Sequence, residues 1–172
     1  MIPKKLPYKN FLESFKYAPR PAVNLLVEQE VNETSQKRNG KFRKLPIKEV
    51  LLTRRKKPPF AGSWHLPGSF ILKGESLMDC VQRVANEELG LKVKNATLVG
   101  VFDDIDGDPR GHVVDLVYKC KVSGGESTTD GVVLRSRIWL RQSDTAEIKF
   151  FKKLPENIGF NHKDTLKKLG YV

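Results

Sequence analysis

Cysteine is nearly missing from this chain. Cys80 and Cys120 are the two present, with neither CxxC spacing nor a neighbouring histidine cluster. That pattern gives no disulfide scaffold and disfavours zinc, and it is expected of two buried, reduced thiols in a cytosolic protein. Long apolar runs are missing too: none approaches the roughly 18 residues that a bilayer crossing needs. The opening MIPKKLPYKNFLESF carries two lysines without an apolar stretch behind them. No secretory signal and no membrane partner are expected, and the expected location is cytoplasmic. No Ser-His-Asp order or nucleophile elbow occurs, so covalent catalysis has no signal. Acidic residues are scarce relative to basic ones, 20 against 31, for a net charge of +11.

A field of that sign draws polyanions, and nucleotides and nucleic acids both qualify. The excess concentrates in SQKRNGKFRK (35–44) and RRKKPP (54–59). The first block reads as a solvated loop that favours solubility. In the second, Arg54 and Arg55 read equally as solvated or as facing phosphate. Neither block interleaves aromatic residues at the spacing of a base-stacking platform, so a nucleic-acid partner has the charge in its favour but no motif.

The 172 residues suit a single domain with a real core, expected over 19–172 behind a basic arm or short helix at 1–18. AVNLLVEQEV (22–31) and EVLLTRR (49–55) are β-branched and apolar, and Asn39-Gly40 lies between them. This predicts a hairpin with an enlarged basic connection. From Ser76 the period changes: Leu77, Val81 and Val84 recur at helical steps, Ser76 and Asp79 approach a capping box, and Gly90 supplies the stop, for one helix over about 76–89. Strands are expected at 96–104, 112–122 and 133–140, a helix near 144–149, and a final helix from about Asn161. The irregular alternation argues for an α/β fold with a mixed sheet and helices on its faces.

The chemistry-bearing residues sit at the end of the 76–89 helix. Spacings of three and four place positions 84, 87 and 88 on one side of it. Glu87 and Glu88 are adjacent carboxylates that repel unless a cation compensates, and magnesium takes one or two carboxylates together with substrate phosphates. Arg83 can hold Glu87 through an i,i+4 pair. By itself such a pair is more often just a solvated surface.

The register LPGSFILKGESLMDCVQRVANEELGL, residues 66–91, resembles the Nudix box, G-x5-E-x7-R-E-U-x-E-E-x-G-U with U aliphatic. Glu75 falls on the first Glu, Arg83 on the Arg, Glu87 and Glu88 on the Glu pair, Ala85 on the middle aliphatic, Gly90 on the Gly and Leu91 on the last aliphatic. Ser69 replaces the first Gly, and Val84 replaces the Glu that follows the Arg. Flanking phrases such as PAVNLLVEQEV, VLLTRR, PPFAGSWHLPG and FDDIDGDPRGHVVDLVYKC are similar, in order, to the ADP-ribose pyrophosphatase-like group.

The resemblance implies a Nudix-type α/β/α sandwich with the box as loop–helix–loop. It also implies cleavage of the pyrophosphate of a nucleoside diphosphate linked to another moiety, with Mg2+ or Mn2+ required. Glu87, Glu88 and the Gly68 carbonyl would hold the cation, Arg83 would orient the glutamates, and Glu75 would brace the loop. Arg54, Arg110, His112 and Asp104 are the expected substrate contacts, Arg110 because its fork suits phosphate. His112 equally suits a core or capping role. Many relatives dimerise, so a homodimer is an expectation without a marked interface.

Val84 leaves three readings open. A carboxylate from another loop replaces the missing Glu, with Asp103, Asp104, Asp106, Asp108 and Glu126 available. Alternatively the chemistry is that of the related GDP-mannose hydrolases, which break a sugar C–O bond with a histidine base, here His112 or His65. In the third reading Val84 extends the Leu77–Val81 stripe into the core, and the domain binds or regulates without cutting. His162 with Phe160, Trp64 and Trp139 are expected to be structural.

Overall fold

The computed structural model describes residues 4–38, 41–123, 126–128, 131–133 and 145–172. In chain order the elements are α1 (Tyr8–Ser14), β1 (Arg20–Arg38), β2 (Lys41–Arg55), β3 (Trp64–His65), β4 (Gly68–Phe70), α2 (Leu77–Val84), a π-helical turn (Ala85–Leu89), β5 (Lys92–Asp104), β6 (Val113–Ser123), β7 (Glu126–Thr128), β8 (Gly131–Val133), β9 (Thr145–Phe151) and α3 (His162–Lys168).

The main sheet runs β3-β2-β1-β6-β5, with β4 added to β1 and β9 to β2. It is mixed, because β1 pairs β6 in parallel while its other partners are antiparallel. β1 serves both halves of the sheet. Its residues 20–27 lie beside β6, and from Glu28 onward it pairs β2.

Alternation along β1 sends successive side chains to opposite faces. Val23, Leu25 and Val27 meet Leu116, Tyr118 and Cys120 on one face, under Cys80, Val81 and Val84 of α2. Leu26 and Val117 join Val50, Leu52 and Leu66 on the other, under Leu166 of α3. The two helices therefore cover opposite faces, which is the α/β/α sandwich expected.

Three sequence expectations are corrected. The basic block 35–44 does not form an enlarged connection; β1 and β2 continue until Arg38 pairs with Lys41, because strand pairing propagates through polar residues once the ladder is in register. The helix expected near 144–149 is β9, antiparallel to β2, with Ile148 opposite Thr53 and Phe150 opposite Leu51. Packing of Ile148 and Phe150 onto the α2-side core outweighs local helix propensity. The single helix over 76–89 is an α-helix that passes into a π turn at Ala85. The 133–140 strand, from residue 134 onward and with it Trp139, lies outside the described residues.

The two cysteines are free and buried, and burial pushes both thiols up to about 12. Their burial is as expected.

Candidate active site

Ser76 caps α2, accepting from the Asp79 amide at 3.1 Å. In the last turn of α2, Arg83 organises the loop that precedes the helix. Its Nε donates to Glu75 Oε1 at 2.7 Å, and Nη2 donates to Glu75 Oε2 and to the Phe70 carbonyl, each at 3.0 Å. Its Nη1 reaches Ser69 Oγ at 3.2 Å and Glu87 Oε2 at 3.3 Å. Glu75 also accepts from the Leu72 amide at 3.0 Å. The Arg83 bonds hold the Glu75 carboxyl below the usual carboxylate range, and Glu75 in turn raises the guanidinium. Ser69, one of the two departures from the box, is absorbed here as another acceptor for Arg83.

The π turn decides which residues reach the cleft. A continuous α-helix would carry the buried stripe from Val81 through Val84 to position 88. The wider π turn closes from residue i to i+5, so the stripe passes from Val84 to Leu89, both fully buried. Glu88 is released sideways. Glu87 and Glu88 line a cavity of about 430 Å³, and Val84 does not. The expectation that position 84 shares their side is therefore overturned: Val84 is core, with 0% exposure. Gly90, at φ 67°, ends the turn in the left-handed region.

The floor of the cavity is the polar end of the α3-side face, with Ala22 and Asn24 from β1 and Val113 and Asp115 from β6. Asn24 Nδ2 donates to Asp115 Oδ1 at 2.7 Å. Gly68 sits against Asn24 so closely that a Cβ there would collide with Oδ1, which accounts for glycine at that position. Desolvation, with help from Asp104 and Asp108, pushes the Asp115 carboxyl up to about 7.

Asp104 and Asp108 also line the cavity, but local bonds engage both. Asp104 accepts from the Gly107 amide at 2.6 Å and from Asn161 Nδ2 at 2.5 Å, and burial raises its carboxyl. Asp108 takes the fork of Arg110, at 2.8 Å to Nε and 2.5 Å to Nη2. Arg110 lies over the rings of Phe70 at 5.0 Å and Phe160 at 5.6 Å.

Of the residues singled out from sequence, Gly68, Glu87, Glu88, Asp104 and Arg110 meet in this one cavity, with Glu75 and Arg83 behind its loop. Arg54 and His112 do not line it. Arg54 donates to the Gly62 carbonyl at 2.9 Å and faces Glu147 at 3.6 Å, and Arg55 takes the place in the wall. His112 lies 3.8 Å from Asp103, and its buried Nε2 has no hydrogen-bond partner among the described residues. The Glu126 side chain lies outside the described part.

Sequence reading missed Lys5, Asn24 and Asp115 as wall residues and gave Phe160 and His162 only structural roles. Asn24 in AVNLLV and Asp115 in HVVDLV carried a signal, each being a single polar residue inside an apolar strand.

His65 and His162 are buried beside one another, with ring centroids 6.2 Å apart. Desolvation first, then the neighbouring charge, pushes His65 down to about 3 and His162 to about 4. His162 Nδ1 accepts from the Leu66 amide at 3.0 Å, so its proton sits on Nε2. His65 Nδ1 lies 2.6 Å from the Leu66 carbonyl, which makes Nδ1 its donor. Both rings should stay neutral through the physiological range. In a proton NMR titration from pH 8 to 5, two of the three histidines should show no imidazole transition.

The donor chemistry fits a hard divalent cation. Glu87 and Glu88 offer carboxylate oxygens beside Gly68 on one wall, and Thr145 Oγ1 orients Glu88 through a 2.6 Å bond. No three acidic, histidine or cysteine side chains among the described residues form a complete cage. Glu87 and Glu88 are a pair, and a magnesium ion takes one or two protein carboxylates with substrate phosphates in the remaining positions.

Residues 39–158 match the family model described as NUDIX domain. An ADP-ribose pyrophosphatase of Methanocaldococcus jannaschii is 38% identical over 122 residues, covering 69% of this chain and 64% of that protein. The match thus spans slightly less than two thirds of that relative's length. The MutT NUDIX hydrolase structure from Burkholderia pseudomallei is 26% identical with a TM-score of 0.60, covering 88% of this chain and 98% of that one. The NUDIX domain of Shewanella oneidensis NrtR, solved in complex with ADP ribose, is 18% identical with a TM-score of 0.58, covering 95% and 97% of the two chains.

Proposed function

The chain belongs to the NUDIX domain family, and from that premise we propose that it hydrolyses the pyrophosphate of a nucleoside diphosphate joined to a second group, with ADP-ribose the first candidate. The observation that carries this reading is the convergence, in one cavity, of Glu87 and Glu88 with Arg55, Arg110 and Phe160. A carboxylate pair suits a divalent cation, guanidinium groups suit phosphate, and an aromatic face suits a base or sugar. The archaeal ADP-ribose pyrophosphatase supports the choice of substrate class.

In this reading Glu87, Glu88 and the Gly68 carbonyl hold Mg2+ or Mn2+, which when bound neutralises the diphosphate and acidifies water. Arg83, fixed by Glu75, sets the orientation of Glu87 and of the 66–76 loop. Asp104 and Asp108 shape the wall: Asp108 holds Arg110 over Phe70 and Phe160, and Asp104 ties the 104–107 turn to Asn161. Asp115 takes the role left by Val84. It is a cavity carboxylate near neutrality, suited to accept the proton of the attacking water.

The alternative of C–O cleavage by a histidine base loses support. His65 donates from Nδ1 to Leu66, its acceptor nitrogen Nε2 faces the Thr53 hydroxyl at 3.3 Å, and burial pushes it down to about 3, too weak for a base; His112 does not line the cavity.

The test is a turnover screen with magnesium and with manganese across ADP-ribose, dinucleotides, GDP-sugars and nucleoside triphosphates. AMP and ribose phosphate from ADP-ribose are the expected products. Free sugar with GDP, or nucleotide binding without any product, would sink the proposal. Glu88→Gln should weaken manganese affinity by about tenfold while leaving the urea midpoint unchanged, as loss of one of two ligating charges implies. Unchanged affinity by calorimetry would remove Glu88 from the cation site.

A further inference from the structure

The N-terminal segment belongs to the cavity wall. Lys5 lines it, and its Nζ lies 3.2 Å from Glu87 Oε2. The segment is fastened by aromatic contacts rather than by burial of α1, none of whose residues is buried. Phe11 and Phe15 stand 5.1 and 5.6 Å from Phe70, which follows Ser69 in the loop before the box helix. The guanidinium groups of Arg20 and Arg110 each lie 5.8 Å from the Phe11 ring centroid. Gly111 makes room for this docking, since a Cβ there would meet Phe15 at 2.9 Å. The same Phe70 ring is therefore shared between the arm and the cavity-lining Arg110.

The charges of the wall give Lys5 a task. The described lining carries five carboxylates (Glu87, Glu88, Asp104, Asp108 and Asp115) against Lys5, Arg55 and Arg110. An anionic substrate enters such a cavity only where cations face it. Arg110 and Arg55 bring guanidinium groups with part of their donor sets engaged, Arg110 by Asp108 and Arg55 from Nε by the Pro59 carbonyl at 2.8 Å with its guanidinium over Phe160. Lys5 is the one lysine of the described lining, on a long flexible stem with three donors.

We propose that Lys5 is a substrate-binding residue, presenting its ammonium to the diphosphate oxygens next to the Glu87–Glu88 pair, and that Phe11 and Phe15 position it there. This rests on the nucleoside-diphosphate reading of the cavity and adds to it a wall supplied by the arm. The bland alternative is an exposed ion pair with Glu87, which would contribute little to anything measured.

The experiment uses the 172-residue chain. ADP binding is measured by calorimetry, and ADP-ribose turnover with magnesium is followed in parallel. Lys5→Gln should weaken ADP binding and raise KM by about fivefold or more, with kcat within about twofold and unfolding unchanged, as loss of one charge-assisted bond to substrate predicts. Lys5→Arg should restore the parent values. Phe11→Ala, with Lys5 intact, should reproduce the rise in KM. Unchanged ADP affinity and KM in Lys5→Gln overturns the proposal while leaving the hydrolase reading standing. Lys5-dependent ADP binding without turnover supports the proposal and sinks the hydrolase reading. Failure of the parent to bind ADP at all sinks both. A Phe11→Ala variant that loses only thermal stability removes the arm's positioning role.

Discussion

A Val84→Glu variant should unfold about 3 kcal/mol or more below the parent and gain no turnover, the cost expected for an unpaired carboxylate in a core. Position 84 is sealed at 0% exposure among Val23, Leu25, Cys80, Val81, Ala85 and Leu89. These are apolar neighbours that cannot compensate a charge. The added carboxyl must stay protonated or pull the end of α2 off the sheet. Either way it does not join Glu87 and Glu88, which the π turn has carried to the cavity. Urea unfolding without metal reads the first half of the prediction, and ADP-ribose turnover with magnesium reads the second. A rise in turnover of about tenfold, worth ~1.4 kcal/mol of barrier, would show that the helix end can repack. The family's usual Glu would then be missed at this position.

The Leu77–Val81 stripe extended to Val84 predicts this burial, but the same helical spacing also puts Glu87 and Glu88 on that side, and the reason they part is local. A period of 3.6 puts 84, 87 and 88 on one side, and nothing in ANEELG announces that the ladder widens at Ala85. The capped start at Ser76, the Gly90 stop and the Arg83–Glu87 pair were legible because each depends on residues a turn apart. Strand cores were legible for the same reason, since alternation is local.

What escaped depends on the sheet. β9 was read as a helix because Thr145–Phe151 acquires its state only from β2. Arg55, not Arg54, faces the cavity because adjacent strand residues point to opposite faces, and the choice between them is fixed by register. Lys5 could not be read at all, because its approach to Glu87 spans 82 residues of sequence. Asn24 and Asp115 come together only through the parallel pairing of β1 with β6, which sets Ala22 opposite Asp115.

Asp115→Asn should give effects of opposite sign on stability and activity. The native carboxyl is held up to about 7 by burial and by Asp104 and Asp108, against an ordinary value of 3.8. A carboxyl raised on folding contributes its stability below the unfolded pKa and loses it as pH rises through the folded one, so the loss runs from about pH 4 to about pH 7. Above that window the folded protein carries a buried anion that it would be more stable without.

The amide keeps an oxygen for Asn24 Nδ2 and removes the charge, so at pH 8 without metal the variant should be more stable by on the order of 2–4 kcal/mol. That corresponds to roughly 5 °C or more in Tm. At pH 4 the advantage should vanish. His65 and His162, held low, contribute with the opposite sign: their stability is present above the unfolded value of 6.5 and lost as pH falls toward about 4 for His162 and about 3 for His65. They are common to both proteins and cancel in the difference curve.

Turnover should fall by about 100-fold at pH 8, the range expected when a proton acceptor is removed. A gain in stability with activity intact would make Asp115 a buried acid with no part in the reaction, and the role left by Val84 would pass to another group. A loss of stability at pH 8 would mean that the carboxylate is ionised and held by partners at that pH, contrary to the environment described for it.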